Sequence, residues 1–452
     1  MQQRETLGSR LGFILISAGC AIGIGNVWRF PYLCGQYGGG AFVLVYLFFL
    51  AILGLPAMCM EFAVGRAARK SPIRMYQEIE PEGSKWHIHG LFCMAGNYIL
   101  MMFYTTVAGW MLQYFFQEAS GRFEGMDAEG VANVFSEGLL NPGLQAGFMA
   151  VVVVLGFFVN MRGLQGGLER VTKVMMTLLI IIMVILAVNS LFLPGAAEGI
   201  RYLLVPDFAR MREQGVWNVI VAAMNQAFFT LSIGIGSMAI FGSYINRDQS
   251  LLGESVNIVL LDTMVAISSG LIIIPACFAY GVESTAGPGL IFITLPNIFN
   301  HMPLGRLWGS LFFVFMTFAA FSTVLAVFEN LMAMCMDLFG WNRTKTGLIN
   351  IVVLFILSLP CSLGFNVLSF IQPKGEGSTF LDLEDYIVSN FLLPLGALVF
   401  VLFCTRKSGW GWENFKAEAD EGEGLKIQDW MRPYITWVLP ILIIFVFIMG
   451  II

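Results

Sequence analysis

Apolar residues run along this chain in long blocks separated by short polar stretches. The blocks are roughly twenty residues or more, the length a helix needs to cross a hydrocarbon layer; membrane strands would give alternating segments of about ten. The pattern predicts eleven helical spans, at about 10–36, 41–65, 88–117, 143–160, 168–193, 217–244, 254–282, 305–337, 346–364, 380–404 and 432–452. Several exceed the crossing length, so tilt or extension past the bilayer is expected. Two connections look structured. Segment 194–216 is polar and Pro-flanked; segment 283–304 holds an apolar stretch, 290–298, too short to cross, which reads as a re-entrant or capping hairpin helix.

Composition agrees with this pattern. Hydrophobic residues make up 57% of the 452 and charged residues 12%, where a soluble domain carries about 25% charged. In lipid every backbone polar group must be paired internally, which leaves an all-α membrane protein as the fold class. The eight cysteines fall almost entirely within apolar runs and read as small buried hydrophobes. A net charge of −5 without a basic cluster points to no nucleic-acid partner. The first apolar run continues straight into Arg29-Phe30-Pro31 without an Ala-x-Ala-like site, so it reads as a span and not a cleaved leader.

Charge sets the expected orientation. With a cytoplasmic N-terminus, eighteen of the 25 Lys and Arg residues fall inside, including Arg66, Arg69, Lys70, Arg74 and Lys85, and six fall outside. The remaining one, Arg29, lies within a span. That split follows the positive-inside rule. Eleven spans then place Ile452 outside and the sequon Asn342-Arg343-Thr344 inside.

Two spans are interrupted. Gly19-Cys20-Ala21-Ile22-Gly23-Ile24-Gly25-Asn26 puts three glycines and an Asn within the first apolar run, and Arg29 and Pro31 follow. Each Gly weakens a helix by about 1 kcal/mol. A break in lipid is tolerable only where the freed carbonyls line a cavity. A small-residue packing face would account for the glycines but not for Asn26 and Arg29. No strand precedes the glycines, which excludes a dinucleotide fingerprint. In the sixth span Phe229-Thr230-Leu231-Ser232-Ile233-Gly234-Ile235-Gly236 combines hydroxyls with glycines. Alone, that run fits a Ser/Thr-bonded kink equally well. Spans 1–5 and 6–10 place the two interruptions in corresponding positions of two five-helix units. Five is odd, so the second unit is inverted in the membrane. The expected organisation is one domain over 1–452: a 5+5 inverted repeat, about 10–193 and 217–404, with an extra helix at 432–452. Paired broken helices in inverted halves point to a carrier's midplane site.

Four acids lie within spans: Glu61, Asp262, Glu329 and Asp385. Such groups are expensive and need partners, Asp262 most of all in the apolar run 258–267. Ala319-Ala320-Phe321-Ser322-Thr323 sets adjacent hydroxyls in span eight. They suit a small hard cation, or they bond back to the preceding turn.

The run Gly25-Asn26-Val27-Trp28-Arg29-Phe30-Pro31-Tyr32-Leu33, then Gly38-Gly39-Gly40-Ala41-Phe42, resembles the signature of the neurotransmitter:sodium symporter family. The resemblance continues through Glu61-Phe62-Ala63-Val64-Gly65-Arg66, 229–236 and Ser243-Tyr244, and so spans essentially the whole chain. Eleven spans and short termini look like the bacterial members, which implies a multi-pass protein of the bacterial inner membrane.

The resemblance implies sodium-coupled symport of an amino acid by alternating access, with two Na⁺ sites. One Na⁺ is implied at the Ala21 carbonyl, Asn26, Thr230, Asp262 and the substrate carboxylate. The other is implied at the carbonyls of Gly19, Ile22 and Ala319 and the hydroxyls of Ser322 and Thr323. Tyr104 resembles the family's carboxylate-binding tyrosine and forms a lid with Phe229. The implied substrate pocket is completed by Ala21, Gly23, Gly25, Leu100, Met101, Thr230, Ser232, Ile235, Thr323 and Val327. Arg29 and Asp385 resemble the outer gate; Arg4, Asp337, Ser243 and Tyr244 resemble the inner gate. Where monoamine-transporting relatives carry an Asp, this chain has Gly23, and the pocket is largely apolar. A hydrophobic or aromatic L-amino acid is therefore expected. Asp262 stands where eukaryotic members place chloride, so no chloride requirement is expected, and a proton on Asp262 would give proton counter-transport.

The chain departs from the family pattern at Leu7, where an inner-gate Trp is usual, and at Thr177, which replaces a Pro linked to unwinding of span five. A proton-coupled carrier of the same fold is disfavoured by Ser322 and Thr323. A non-transporting sensor is disfavoured by the gate residues. An intramembrane enzyme is disfavoured because His87, His89 and His301 lie near loops or span ends, with no buried metal set or Ser-His arrangement.

Overall fold

The computed structural model describes residues 5–281 and 289–451. Among them the chain is almost wholly helical, with only two isolated bridges, Gly39 to Pro206 and Gln249 to Glu423. Span one is a bent pair, Arg10–Ala21 and Gly25–Gln36, turning by 55° at its break. Nine further helices are long and apolar enough to cross. They are span two (Gly40–Ala68), three (Ile88–Ala119), four (Pro142–Met161), five (Leu164–Leu191), seven (Leu251–Ala279), eight (Gly305–Phe339), nine (Arg343–Leu363), ten (Phe380–Thr405) and eleven (Met431–Ile451). The remaining expected span, six, is two half-helices, Val216–Thr230 and Ser237–Gly242, separated by residues 231–236.

Burial sorts the spans into centre and periphery. The most apolar window of span eight is 72% buried by protein and that of span eleven only 28%. Span eight is thus the central post and span eleven faces lipid. The most extensive helix pairing is span eight against span three, and span eight also packs on spans one and five. All eight cysteines are free and buried, as their apolar settings implied.

The breaks have local causes. Ile22 is extended (φ −71°, ψ 99°), which ends the first half-helix. Gly25–Arg29 then form one wide turn before Phe30–Gln36 resume, with Pro31 next to that junction. In span six Ser232, Gly234 and Gly236 all have positive φ. Gly234 is obligatory: a Cβ there would lie 2.1 Å from the Leu393 carbonyl oxygen. Glu61 holds this stretch by accepting from the backbone N–H of Gly234 and, at 3.2 Å, of Met238.

The two connections expected to be structured contain helices. Segment 194–216 carries Ala196–Leu204 and Phe208–Glu213. Leu290–Thr294 and Leu295–His301 form the helical part of 283–304; the other arm of the expected hairpin falls on 282–288, outside the described residues. Phe292 is buried there between Phe135, Trp110 and Tyr114, and its ring meets Trp28 of span one at 6.1 Å. Near the N-terminal end, Gly8 N donates to Glu169 at 2.8 Å and Leu164 N donates to Glu5 at 3.2 Å, tying the first described residues to span five.

Candidate functional site

A small cavity lies at the two breaks. Cys20, Ala21, Gly23 and Gly25 of span one, Leu100 and Tyr104 of span three, Phe229 and Ser232 of span six, Thr323 of span eight and Leu393 of span ten line it. Met101, Thr230, Ile235 and Val327, expected in the same pocket, are buried and not among its lining residues. Cys20 and Leu393 were missed: each sits in an ordinary apolar run, and only the tertiary packing brings them to the wall. The phenol oxygen of Tyr104 accepts from the Ile24 N–H at 3.0 Å. A Cβ on Gly23 would lie 2.2 Å from that oxygen and 2.5 Å from Thr323 Oγ1, so a larger residue at this corner must displace one or both groups.

Two groups of buried polar side chains lie at the cavity. In the first, Asn26 Nδ2 donates to Asp262 Oδ1 at 2.8 Å and to Thr230 Oγ1 at 3.0 Å. Thr230 Oγ1 donates to Asp262 Oδ2 at 3.1 Å, and the Tyr46 hydroxyl approaches the same oxygen at 3.5 Å. Asn26, Thr230 and Asp262 are buried. Asp262 thus finds the partners its apolar run demanded. Tyr46 was not anticipated, because nothing in span two marks it as facing span seven.

The second group lies on the other side of the break. Ser322 Oγ is 3.3 Å from the Ile22 carbonyl and 2.9 Å from that of Ala319. Thr323 Oγ1 is 3.2, 3.4 and 3.3 Å from the carbonyls of Gly19, Cys20 and Ile22. The hydroxyls of span eight therefore reach across to the carbonyls freed by the break. Back-bonding alone, the alternative open from sequence, accounts only for the Ala319 contact.

The expected gates are partly assembled. Arg29 and Asp385 make no direct ion pair in the structure. Ser389 stands between them, donating to Asp385 Oδ1 at 2.8 Å and accepting from Arg29 at 3.4 Å. The Arg29 guanidinium lies 4.4 Å above the Phe229 ring, which holds it away from Asp385. On the other side, Arg4 lies outside the described residues. Asp337 accepts from the Ser71 N–H at 2.8 Å. Ser243 donates to the Ile240 carbonyl at 2.6 Å, and its own carbonyl accepts from Arg69 at 3.4 Å. The Tyr244 hydroxyl donates to Glu329 at 2.8 Å, and Glu329 pairs with Arg343 at 2.7 Å. Leu7, in the place of the usual Trp, is buried and donates its N–H to the Tyr244 carbonyl at 3.3 Å.

Comparison with known proteins gives a consistent result. A profile of the sodium:neurotransmitter symporter family matches residues 4–124 and 128–452. The chain is similar to the crystal structure of MhsT in complex with L-phenylalanine, with a TM-score of 0.88 and 37% identity over 99% of this chain and 100% of that one. It is 35% identical over 399 residues to the uncharacterized sodium-dependent transporter YhdH of Bacillus subtilis (strain 168), covering 88% of this chain and 87% of that protein. It is 27% identical over 499 residues to the sodium-dependent serotonin transporter of Drosophila melanogaster, covering 99% and 76%.

Proposed function

Because this chain belongs to the sodium:neurotransmitter symporter family, a family of sodium-coupled transporters and not of enzymes, we propose that it imports a hydrophobic or aromatic L-amino acid with two sodium ions. It sits in a bacterial inner membrane with its N-terminus in the cytoplasm and works as one domain of two inverted five-span repeats plus span eleven. The observation that carries the reading is the pair of buried polar groups, Asn26–Thr230–Asp262 and Ser322–Thr323 with the span-one carbonyls, on either side of one cavity.

The substrate carboxylate meets the Tyr104 hydroxyl and the first sodium at Asn26, Thr230, Asp262 and the Ala21 carbonyl. Its side chain occupies the space between Leu100, Phe229, Ser232 and Leu393. The second sodium takes the carbonyls of Gly19, Ile22 and Ala319 and the two hydroxyls of span eight. That site joins span one to the central post, so its emptying frees the first half-helix to move. Phe229, with Arg29 upon it and Ser389 and Asp385 beyond, closes the outer route. Leu7, Ser243, Tyr244 and Asp337, with Arg4, close the inner one.

Two cations in a low-dielectric site need negative charge beside them. The Asp262 carboxylate supplies it, so transport needs no chloride. On the return limb a proton on Asp262 replaces the departed sodium, giving proton counter-transport. What supports an amino acid over an amine is Gly23: it offers no acid to an ammonium group and leaves the first sodium shell to a substrate carboxylate. The test is competition against sodium-driven uptake of a labelled neutral amino acid. Leucine, phenylalanine and tryptophan should compete; preference for a charged amino acid or a monoamine contradicts the reading.

A further inference from the structure

The wall of the cavity formed by the span-six break is held from a distance. Seven residues before Tyr104 on span three, or about 10 Å along the axis, lies the buried Asn97. Its amide nitrogen donates to the Ile235 carbonyl at 2.8 Å and to the Cys93 carbonyl at 2.7 Å. Its carbonyl oxygen accepts from Asn330 Nδ2 at 3.1 Å and from Ser237 Oγ at 3.4 Å. Asn330 is also buried and lies seven residues after Thr323 on span eight. One primary amide therefore joins the three elements that carry Tyr104, Thr323 and Ser232 to the cavity.

The neighbouring residue adds a second hold on the same segment. A Cβ at Gly96 would lie 2.7 Å from Ile235 Cγ2, so the Ile235 side chain seats on the bare backbone of span three. Gly96 and Asn97 thus grip Ile235 by its side chain and by its carbonyl. Ile235 lies outside both half-helices of span six, so its carbonyl depends on a partner from another element. Ser232, three residues earlier, faces the cavity with φ +50°, a conformation that persists only where its surroundings enforce it.

We propose that Asn97 is a positioning residue for side-chain selectivity, with Asn330 as its brace. It fixes the break of span six in one shape, and that shape restricts the range of side-chain sizes the cavity accepts. Without it, Ile235 keeps a buried acceptor with no side-chain donor, and the break relaxes toward shapes that fit other side chains. The inference rests on the amino-acid reading of the cavity but not on which amino acid is preferred.

The experiment is sodium-driven uptake of labelled phenylalanine in proteoliposomes, competed by glycine, alanine, valine, leucine and tryptophan. Half-inhibitory concentrations are measured for wild type, Asn97→Ala and Asn330→Ala. Loss of one buried hydrogen bond predicts that the spread between best and worst competitor shrinks about tenfold in Asn97→Ala. Asn330→Ala keeps the bond to Ile235 and should shrink the spread less, with sodium half-saturation unchanged because both buried polar groups remain. A uniform loss of affinity that leaves the spread intact would overturn the proposal, since it marks a merely structural role. If Asn97→Ala does not fold, Asn330→Ala decides: a spread equal to that of wild type also overturns it. Wild-type protein that takes up no neutral amino acid would instead overturn the reading on which the inference rests.

Discussion

The side-chain amide of Asn26 donates to the carboxylate of Asp262 at 2.8 Å across 236 residues of sequence. This contact joins the broken first span to span seven within the apolar run 258–267 of that helix. In the proposed transport cycle Asp262 supplies the negative charge that accompanies sodium. Replacing external chloride with gluconate should leave wild-type uptake unchanged. The Asp262→Asn variant keeps the shape but loses the charge, and its uptake should become chloride-dependent. Wild-type uptake that collapses without chloride would remove this role from Asp262.

Gly23 marks the corner of the cavity where Tyr104 and Thr323 meet. A Cβ there would sit 2.2 Å from the tyrosine oxygen and 2.5 Å from Thr323 Oγ1. Gly23→Ala must displace one or both groups, and overpacking of this kind costs about 1–3 kcal/mol. Apparent substrate affinity should fall by about tenfold or more, with sodium activation also weakened. Equilibrium binding of labelled leucine checks this; an affinity equal to that of wild type would contradict the placement.

Thr323 by itself touches three carbonyls of span one, those of Gly19, Cys20 and Ile22. Thr323→Ala removes a proposed ion ligand at a buried position. Half-saturating sodium should rise about tenfold, on the scale of a lost contact to a charged group. Thr323→Ser retains the hydroxyl and should restore most of the affinity. Sodium titration of uptake reads both variants.

Span five opens on a wide turn, Leu164–Glu169, after Gly163 at φ +96°. Gly167 packs so closely on span four that a Cβ would meet the Val159 carbonyl at 2.1 Å. Thr177 stands where relatives carry a proline and bonds back to the Lys173 carbonyl at 2.8 Å, so the helix continues through it. The glycines and the wide turn still make this the weakest stretch of the span. Amides at 163–172 should exchange faster in sodium-free buffer than with sodium present. Full protection in both conditions would show that this segment stays wound.

Much of the fold was legible because lipid leaves few choices. Apolar runs of crossing length must be helices, and three glycines before Asn26 cannot continue one without a cavity to receive the carbonyls. Asp262 announced that it needed partners, and Asn26 and Thr230 belonged to motifs already singled out. Other features were hidden because they depend on packing angles. Nothing in the sequence shows that Tyr46 turns toward Asp262, that Arg343 pairs with Glu329, or that Leu393 closes the cavity. The contact of Arg29 with the Phe229 ring was hidden for the same reason. Attraction between opposite charges favours pairing Arg29 with Asp385, but the ring and Ser389 take up the guanidinium and the carboxylate first.

In the proposed function sodium and a hydrophobic amino acid cross together at this site. Purified protein in proteoliposomes, with an inward sodium gradient imposed and the amino acids screened one by one, measures this directly. Concentrative uptake of leucine-, phenylalanine- or tryptophan-like substrates is expected, and it should stop when the gradient is abolished. Uptake equally strong without sodium, or binding of these amino acids without accumulation, would contradict it.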